Sequence, residues 1–173
     1  NLDFAPLAGI SAAGHRTMIK PSELTPATSE ITKKMFEAYF DKSEAAVFTG
    51  DAEVGAAFSA LPFDHLLFPG GTQIGKKVMK AASENLVPET LELGGKSPVS
   101  VDEDANLSEV AKKVMRGKTM NAGQICLAPD YLMLPKGKSK EFANASSEVI
   151  GEMFEDLKYN EDYTSVINER HYE

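Results

Sequence analysis

His65-Leu66-Leu67-Phe68-Pro69-Gly70-Gly71-Thr72 decides the fold class. The continuous run from His65 to Phe68 suits a strand buried on both faces, as in a parallel sheet covered by helices. Pro69-Gly70-Gly71 ends it, and Ile74, Val78 and Ala81 then recur at helical spacing. A strand, a glycine turn and an amphipathic helix are the first parts of a βαβ unit.

The same alternation extends in both directions. Upstream, Thr17-Met18-Ile19 reads as a strand ending at Lys20-Pro21, and Thr25-Pro26 reads as a helix cap followed by proline at the first helical position. In that helix Ile31, Met35 and Tyr39 are expected to face a sheet, with Glu30, Lys33, Lys34 and Glu37 toward solvent. Ala45 to Phe48 is the next strand, closed by Thr49-Gly50-Asp51, and Ala52 to Ala60 forms a short helix. Downstream, Thr90 to Leu93 is a strand broken by Gly94-Gly95. Pro98 to Val101 is strand-like, and Leu107, Val110, Ala111, Val114 and Met115 stripe a helix. A loop from Asn121 to Pro129 leads to a strand at Tyr131 to Leu134 and a long helix striped by Phe142, Val149, Ile150, Met153, Phe154 and Leu157. Lys158 to Glu173 has no stable period and reads as a loop or tail without packing partners. The expected class is α/β, with a parallel, Rossmann-like sheet and flanking helices.

Composition excludes several functions. Among 173 residues, 26 acidic side chains outnumber 18 basic ones, and the net charge of −8 repels phosphate backbones, so nucleic acid is not an expected partner. The longest uncharged stretches, Phe4 to Gly14 and Thr119 to Pro129, fall short of the ~18 apolar residues of a membrane span. No membrane partner is expected. One cysteine closes no intrachain disulfide, which makes a reducing cytoplasm the expected location. His15, His65 and His171 have no ligand neighbours at metal-binding spacing, so no metal site is expected. The triplets at Asn106 and Asn144 fit the glycosylation pattern but arise easily by chance.

Four places can carry chemistry. Cys126 lies in the small, polar loop Asn121-Ala122-Gly123-Gln124-Ile125-Cys126, where a thiolate could be presented to a substrate; a lone cysteine is more often inert filler. Glu92 interrupts an apolar strand just before Gly94-Gly95, at the carboxyl edge where ligands bind open α/β sheets. In a partly apolar setting it would take a proton from water; on an exposed edge it would only be solvated. Gly70, Gly71, Thr72 and Gly75 form a strand-to-helix turn whose N–H groups can approach a diphosphate, although such turns are often only turns. Lys20 and Glu23 follow the first strand, where a cation and a carboxylate can bond ribose hydroxyls.

Taken together, these segments resemble the aldehyde dehydrogenase superfamily from about Ala8 to the end of the chain. Thr90 to Pro98 is similar to the family's glutamate motif, and Asn121 to Cys126 to its cysteine motif, with Cys126 34 residues after Glu92. Ile19-Lys20-Pro21-Ser22-Glu23, Phe48-Thr49-Gly50 and Phe68 to Gly75 stand in the family's order as well. Phe58 to Phe68, Asn85 to Pro88 and Cys126 to Tyr131 look most like the coniferyl aldehyde dehydrogenase branch.

The resemblance implies oxidation of an aldehyde, coniferyl or another aromatic one, to the acid, with Cys126 as nucleophile and Glu92 as the base for thioester hydrolysis. It implies NAD, with NADP also accepted, held by Lys20, Glu23, Gly50, Gly70, Gly71, Thr72 and Gly75. The carboxylate of Glu23 disfavours a 2′-phosphate. Residues 1–94 are then expected to be the second half of the cofactor domain and 95–173 the start of an α/β catalytic domain. On this reading the chain is the middle of a longer enzyme that assembles as a dimer or tetramer at full length. The family's oxyanion asparagine would precede Asn1, and Pro69 and Gly71 replace residues more usual at the phosphate turn. The 173 residues alone are expected to be inactive. The alternatives are an inactive truncated fragment and a non-enzymatic α/β interaction module.

Overall fold

The computed structural model describes residues 2–173, in two compact units that divide between Leu93 and Gly94. Parallel strands cannot be joined by a tight turn, so each pair needs a crossover of a dozen or more residues. The chain meets this requirement three times.

In the first unit, helix α1 (Phe4–Ala12) precedes strand β1 (Thr17–Ile19), helix α2 (Pro26–Tyr39) and strand β2 (Ala45–Val47). β1 and β2 pair in parallel, with Thr17 opposite Ala45 and Ile19 opposite Val47. Helix α3 (Ala52–Ser59) leads to β3 (Leu66–Pro69), which pairs in parallel with β4 (Glu89–Glu92) across helix α4 (Thr72–Ser83). In the second unit β5 (Ser97–Ser100) and β6 (Pro129–Met133) pair in parallel across α5 (Leu107–Thr119), with an irregularity between Ser97 and Pro98. Helices α6 (Ser139–Met153) and α7 (Glu169–Tyr172) follow. The α/β class and parallel pairing stand as expected. Among the described residues the strands form three separate pairs.

Each pair has its own small core. Leu7, Phe36, Ala45 and Val47 pack together under β1 and β2, with the Phe36 ring stacked between Phe4 and Phe40. Leu66, Val78, Ala82 and Val87 serve β3 and β4. The second unit gathers Val101, Leu107, Ala111, Val114, Phe142 and Val149, joining α5, α6 and the strand ends.

Several expectations about faces are corrected. α2 buries Ser29, Thr32 and Phe36, while Ile31 is 63% and Tyr39 80% exposed and Met35 is also exposed. One aromatic ring seated between two others outweighs three scattered apolar positions. α4 likewise buries Gly75, Val78 and Ala82, leaving Ile74 exposed and Ala81 half-buried. In β3 only Leu66 is buried, so that strand is not enclosed on both faces within the described residues.

The ends of the elements also differ from expectation. Thr25 makes no side-chain cap; Ser29 Oγ instead donates to the carbonyls of Ser22 and Thr25. α6 stops at Met153, and Phe154 turns edge-on to Tyr163 at 5.1 Å between ring centroids. The segment after Lys158 therefore has packing partners, contrary to its reading as a bare tail.

An Asp or Asn caps α3 and α5, whereas Asp3 before α1 makes no side-chain cap. Asp51 accepts from the N–H groups of Glu53 and Val54, and Asn106 from those of Ser108 and Glu109. Replacing Phe36 by Ala should cost about 3–5 kcal/mol. Asn106→Ala should cost about 1 kcal/mol. Chemical denaturation with each variant checks both values and the reassigned face of α2.

Candidate active site

β1 and β2 end at the same edge because parallel strands run in register: the Phe48 N–H donates to the Ile19 carbonyl at 2.8 Å. Lys20 and Thr49-Gly50 leave from that edge together. Lys20 Nζ donates to Glu23 Oε2 at 2.7 Å, with the lysine side chain only 11% exposed and lying over Gly55. The hydrogen bond from Lys20 holds the Glu23 carboxyl below its ordinary value of 4.5, so it is ionised at neutral pH. Pro21, Ser22, Glu23, Ser29, Thr49 and Gly50 help to line a cavity of about 280 Å³ at this edge. Gly50 is required sterically: a Cβ there would stand 2.5 Å from the Val54 side chain. The sequence candidates Lys20, Glu23 and Gly50 are thus brought together.

The second pair repeats the arrangement. Pro69 lies opposite Glu92, and the Gly70 N–H donates to the Glu92 carbonyl at 2.9 Å. Glu92, Gly70, Gly71 and Thr72 therefore share one carboxyl edge, and all four are exposed. The Phe68 ring covers Gly70 so closely that a Cβ there would lie 2.5 Å from it. Gly71 faces open space as the N-cap of α4, whose first turn has neither a side-chain cap nor an acidic residue. Such an end favours an anion. Gly75 sits differently. It is buried where α4 approaches the end of β4, and a Cβ would stand 3.0 Å from Leu93.

Cys126 belongs to the second unit. After α5 the chain passes through three left-handed residues, Asn121 (φ 51°), Ala122 (φ 54°) and Gly123 (φ 75°). Left-handed backbone costs about 1–2 kcal/mol for each non-glycine residue. Hydrogen bonds offset this: the Gln124 N–H donates to the Asn121 carbonyl, and Asn121 Nδ2 to the Gln124 carbonyl. Gln124 also reaches outward. Its Nε2 donates to the Ser165 carbonyl at 3.2 Å, and its Oε1 accepts from the Ile167 N–H at 2.9 Å. Cys126 itself is half-buried, with a free thiol.

Two supporting residues escaped the sequence reading. A Cβ on Gly95 would stand 2.7 Å from the Cys126 carbonyl oxygen, so the backbone before β5 lies directly against the cysteine. The only signal was the Gly94-Gly95 pair, which reads equally well as a strand breaker. Gln124 was seen only as part of a polar loop. Among the described residues no cluster of three or more His, Cys, Asp or Glu could hold a metal ion, and no helix is long and apolar enough to cross a membrane.

Comparison with known proteins gives consistent results. Residues 4–173 match the model of the aldehyde dehydrogenase family. A probable coniferyl aldehyde dehydrogenase of Caulobacter vibrioides is 56% identical over 173 residues, covering 100% of the chain and 36% of the relative. The coniferyl aldehyde dehydrogenase of a Pseudomonas species is 54% identical over 172 residues, covering 99% of the chain and 36% of the relative. The chain thus spans little more than a third of these proteins. Among solved structures, substrate-bound AldH of Staphylococcus aureus matches with a TM-score of 0.89 and 41% identity, over 96% of the chain and 37% of that protein. A mutant aldehyde dehydrogenase C of Pseudomonas syringae complexed with NAD+ and octanal matches with a TM-score of 0.74 and 28% identity, over 81% and 30%.

Gly95→Ala tests the close approach to Cys126. Overpacking at that point should destabilise the protein by about 1–3 kcal/mol. It should also change the rate at which iodoacetamide modifies Cys126, measured by mass spectrometry.

Proposed function

Because the chain belongs to the aldehyde dehydrogenase family, we propose that it carries the nucleophile and much of the cofactor site of an enzyme that oxidises an aldehyde to the carboxylic acid. The observation that carries this reading is Cys126: the chain's one thiol, half-buried, on a strained loop that a second backbone segment abuts. A thiol serving only as filler needs no such presentation.

Cys126 attacks the carbonyl carbon as the thiolate, forming a C–S bond and a thiohemiacetal. Its backbone N–H serves as a donor to the developing oxyanion. NAD, when bound, supplies the acceptor for the hydride that leaves the former carbonyl carbon. Glu92 then takes a proton from water as it adds to the thioester, and the C–S bond breaks to release acid and thiol. Glu92 is exposed rather than set in an apolar pocket, so its role as base is supported by the family motif around it. Gly95, whose backbone abuts Cys126, follows Glu92 by three residues in the sequence.

The residues present fit a dinucleotide. The ionised Glu23 offers acceptors for ribose hydroxyls, Lys20 offers a cation beside it, and Glu23 and Gly50 line one cavity. Gly71 and Thr72 would hold a diphosphate through backbone N–H groups at the uncapped start of α4, while Gly70, whose N–H is bonded to the Glu92 carbonyl, shapes the turn. Gly75, buried within that helix, supports the turn by letting α4 pack close to Leu93. The carboxylate of Glu23 repels a 2′-phosphate, which favours NAD over NADP. The identity to coniferyl aldehyde dehydrogenases supports an aromatic aldehyde as substrate. The chain's single cysteine supports a cytoplasmic location.

In the full-length protein, Cys126→Ala should abolish NADH production from coniferyl aldehyde, while Glu92→Gln should keep a first-turnover burst and lose steady-state turnover. Normal turnover by Glu92→Gln would remove its role as base. Glu23→Gln should raise the NADP-to-NAD ratio of kcat/KM by about tenfold, equivalent to ~1.4 kcal/mol. Acid should have a related effect: Glu23 has a lowered pKa, so its pairing with Lys20 is complete above the ordinary carboxylate value and lost as pH falls through the lowered one. Cofactor affinity in the wild type should weaken over that acidic range, and Glu23→Gln should flatten the dependence.

A further inference from the structure

The side chain of Gln124 does more than fill the cysteine loop. Its Oε1 accepts from the Ile167 N–H at 2.9 Å, and its Nε2 donates to the Ser165 carbonyl at 3.2 Å and to the Asn121 carbonyl at 3.0 Å. These are the two backbone groups that flank Val166, so one amide pairs with the tail as a neighbouring strand would. The third bond returns to Asn121 at the start of the left-handed turn, five residues before Cys126. One side chain therefore ties together segments 41 and 43 residues apart in sequence.

Asn121 and Ala122 hold left-handed backbone that Gly would adopt more readily, and bonds between Asn121 and Gln124 help to fix them. Cutting the amide would leave the loop free to relax toward ordinary backbone angles, moving Cys126 with it. We propose that Gln124 is a positioning residue for Cys126, holding the cysteine loop in its strained conformation by clamping it to backbone 165–167. This rests on the reading of Cys126 as the nucleophile. The clamp makes the tail, which is remote in sequence, part of the machinery that aims the sulfur.

The test uses the full-length protein and three variants. Gln124→Ala removes the whole clamp. Gln124→Glu keeps the acceptor for Ile167 but replaces the donor by an oxygen facing two carbonyls. Ile167→Pro removes the tail N–H, at the cost of a fixed φ at 167 and a restricted Val166, and leaves the loop sequence intact. Each is measured by hydrogen exchange at the Ser165 to Ile167 amides, iodoacetamide alkylation of Cys126, and steady-state kinetics with NAD and coniferyl aldehyde.

For Gln124→Ala and Gln124→Glu, kcat should fall by about 10- to 100-fold, as expected for a misplaced reacting atom. KM for NAD should stay within about twofold. Alkylation should become several-fold faster as the thiol is released, and exchange at Ile167 should rise in Gln124→Ala. Ile167→Pro should reproduce the fall in kcat to a smaller degree. A reactive thiol combined with poor turnover separates mispositioning from unfolding, which would also remove NAD binding. Unchanged kcat and alkylation in Gln124→Ala would overturn the proposal. So would an impaired Gln124→Ala beside a fully active Ile167→Pro, since the tail would then not matter. Should Gln124→Ala fail to fold, Gln124→Glu and Ile167→Pro decide the question by the same readouts. Turnover by Cys126→Ala would instead overturn the reading of the thiol itself, whatever Gln124 does.

Discussion

Two parallel strands end at the same edge, and everything chemical in the first unit follows from that constraint. The crossover helix needed to return the chain also fixes which loops become neighbours. Ile19 and Val47 end together, so Lys20-Pro21-Ser22-Glu23 meets Thr49-Gly50. Pro69 and Glu92 end together, so Gly70-Gly71-Thr72 meets the carboxylate strand. Neither grouping needs side-chain recognition to form. Backbone pairing alone delivers a cation, a carboxylate and glycine turns to the carboxyl ends of the strands.

Glycine appears where one backbone must pass close to another group, for reasons that differ between positions. At Gly50 the obstacle is Val54, at Gly70 the Phe68 ring, at Gly75 the Leu93 side chain and at Gly95 the Cys126 carbonyl. Gly71 has no such obstacle, and its value is the opposite one: open space at the start of α4. A close approach and an open approach are different uses of the same missing Cβ.

The cysteine loop illustrates local strain sustained by a wider network. Left-handed angles at Asn121 and Ala122 persist because hydrogen bonds over-determine them, and those bonds come from as far along the chain as Ile167. The segment after α6 is polar, yet Phe154 on Tyr163 and Gln124 on Ser165 and Ile167 give it defined partners. Polarity excludes a segment from a hydrophobic core but not from a backbone hydrogen-bond network.

Much of this was legible in the residues. The alternation of short apolar runs, turn residues and helical stripes gave the α/β class and the succession of strands and helices from β1 to α6, because each element's period is a property of its own backbone. The motifs around Glu92 and Cys126 gave the family. What periodicity placed wrongly was the face of α2: Ile31, Met35 and Tyr39 fit a helical stripe as well as Ser29, Thr32 and Phe36 do, and only the aromatic stack of Phe4, Phe36 and Phe40 decides between them. Equally hidden were the seat of Gly95 against Cys126 and the hold of Gln124 on Ser165 and Ile167. Composition and spacing by themselves determined the strands and helices from β1 to α6, but not α1 or α7, and where reactive side chains emerge. Which faces are buried and what braces the sulfur were decided by tertiary structure, because those depend on contacts between residues far apart in the chain, whose pairing no local pattern encodes.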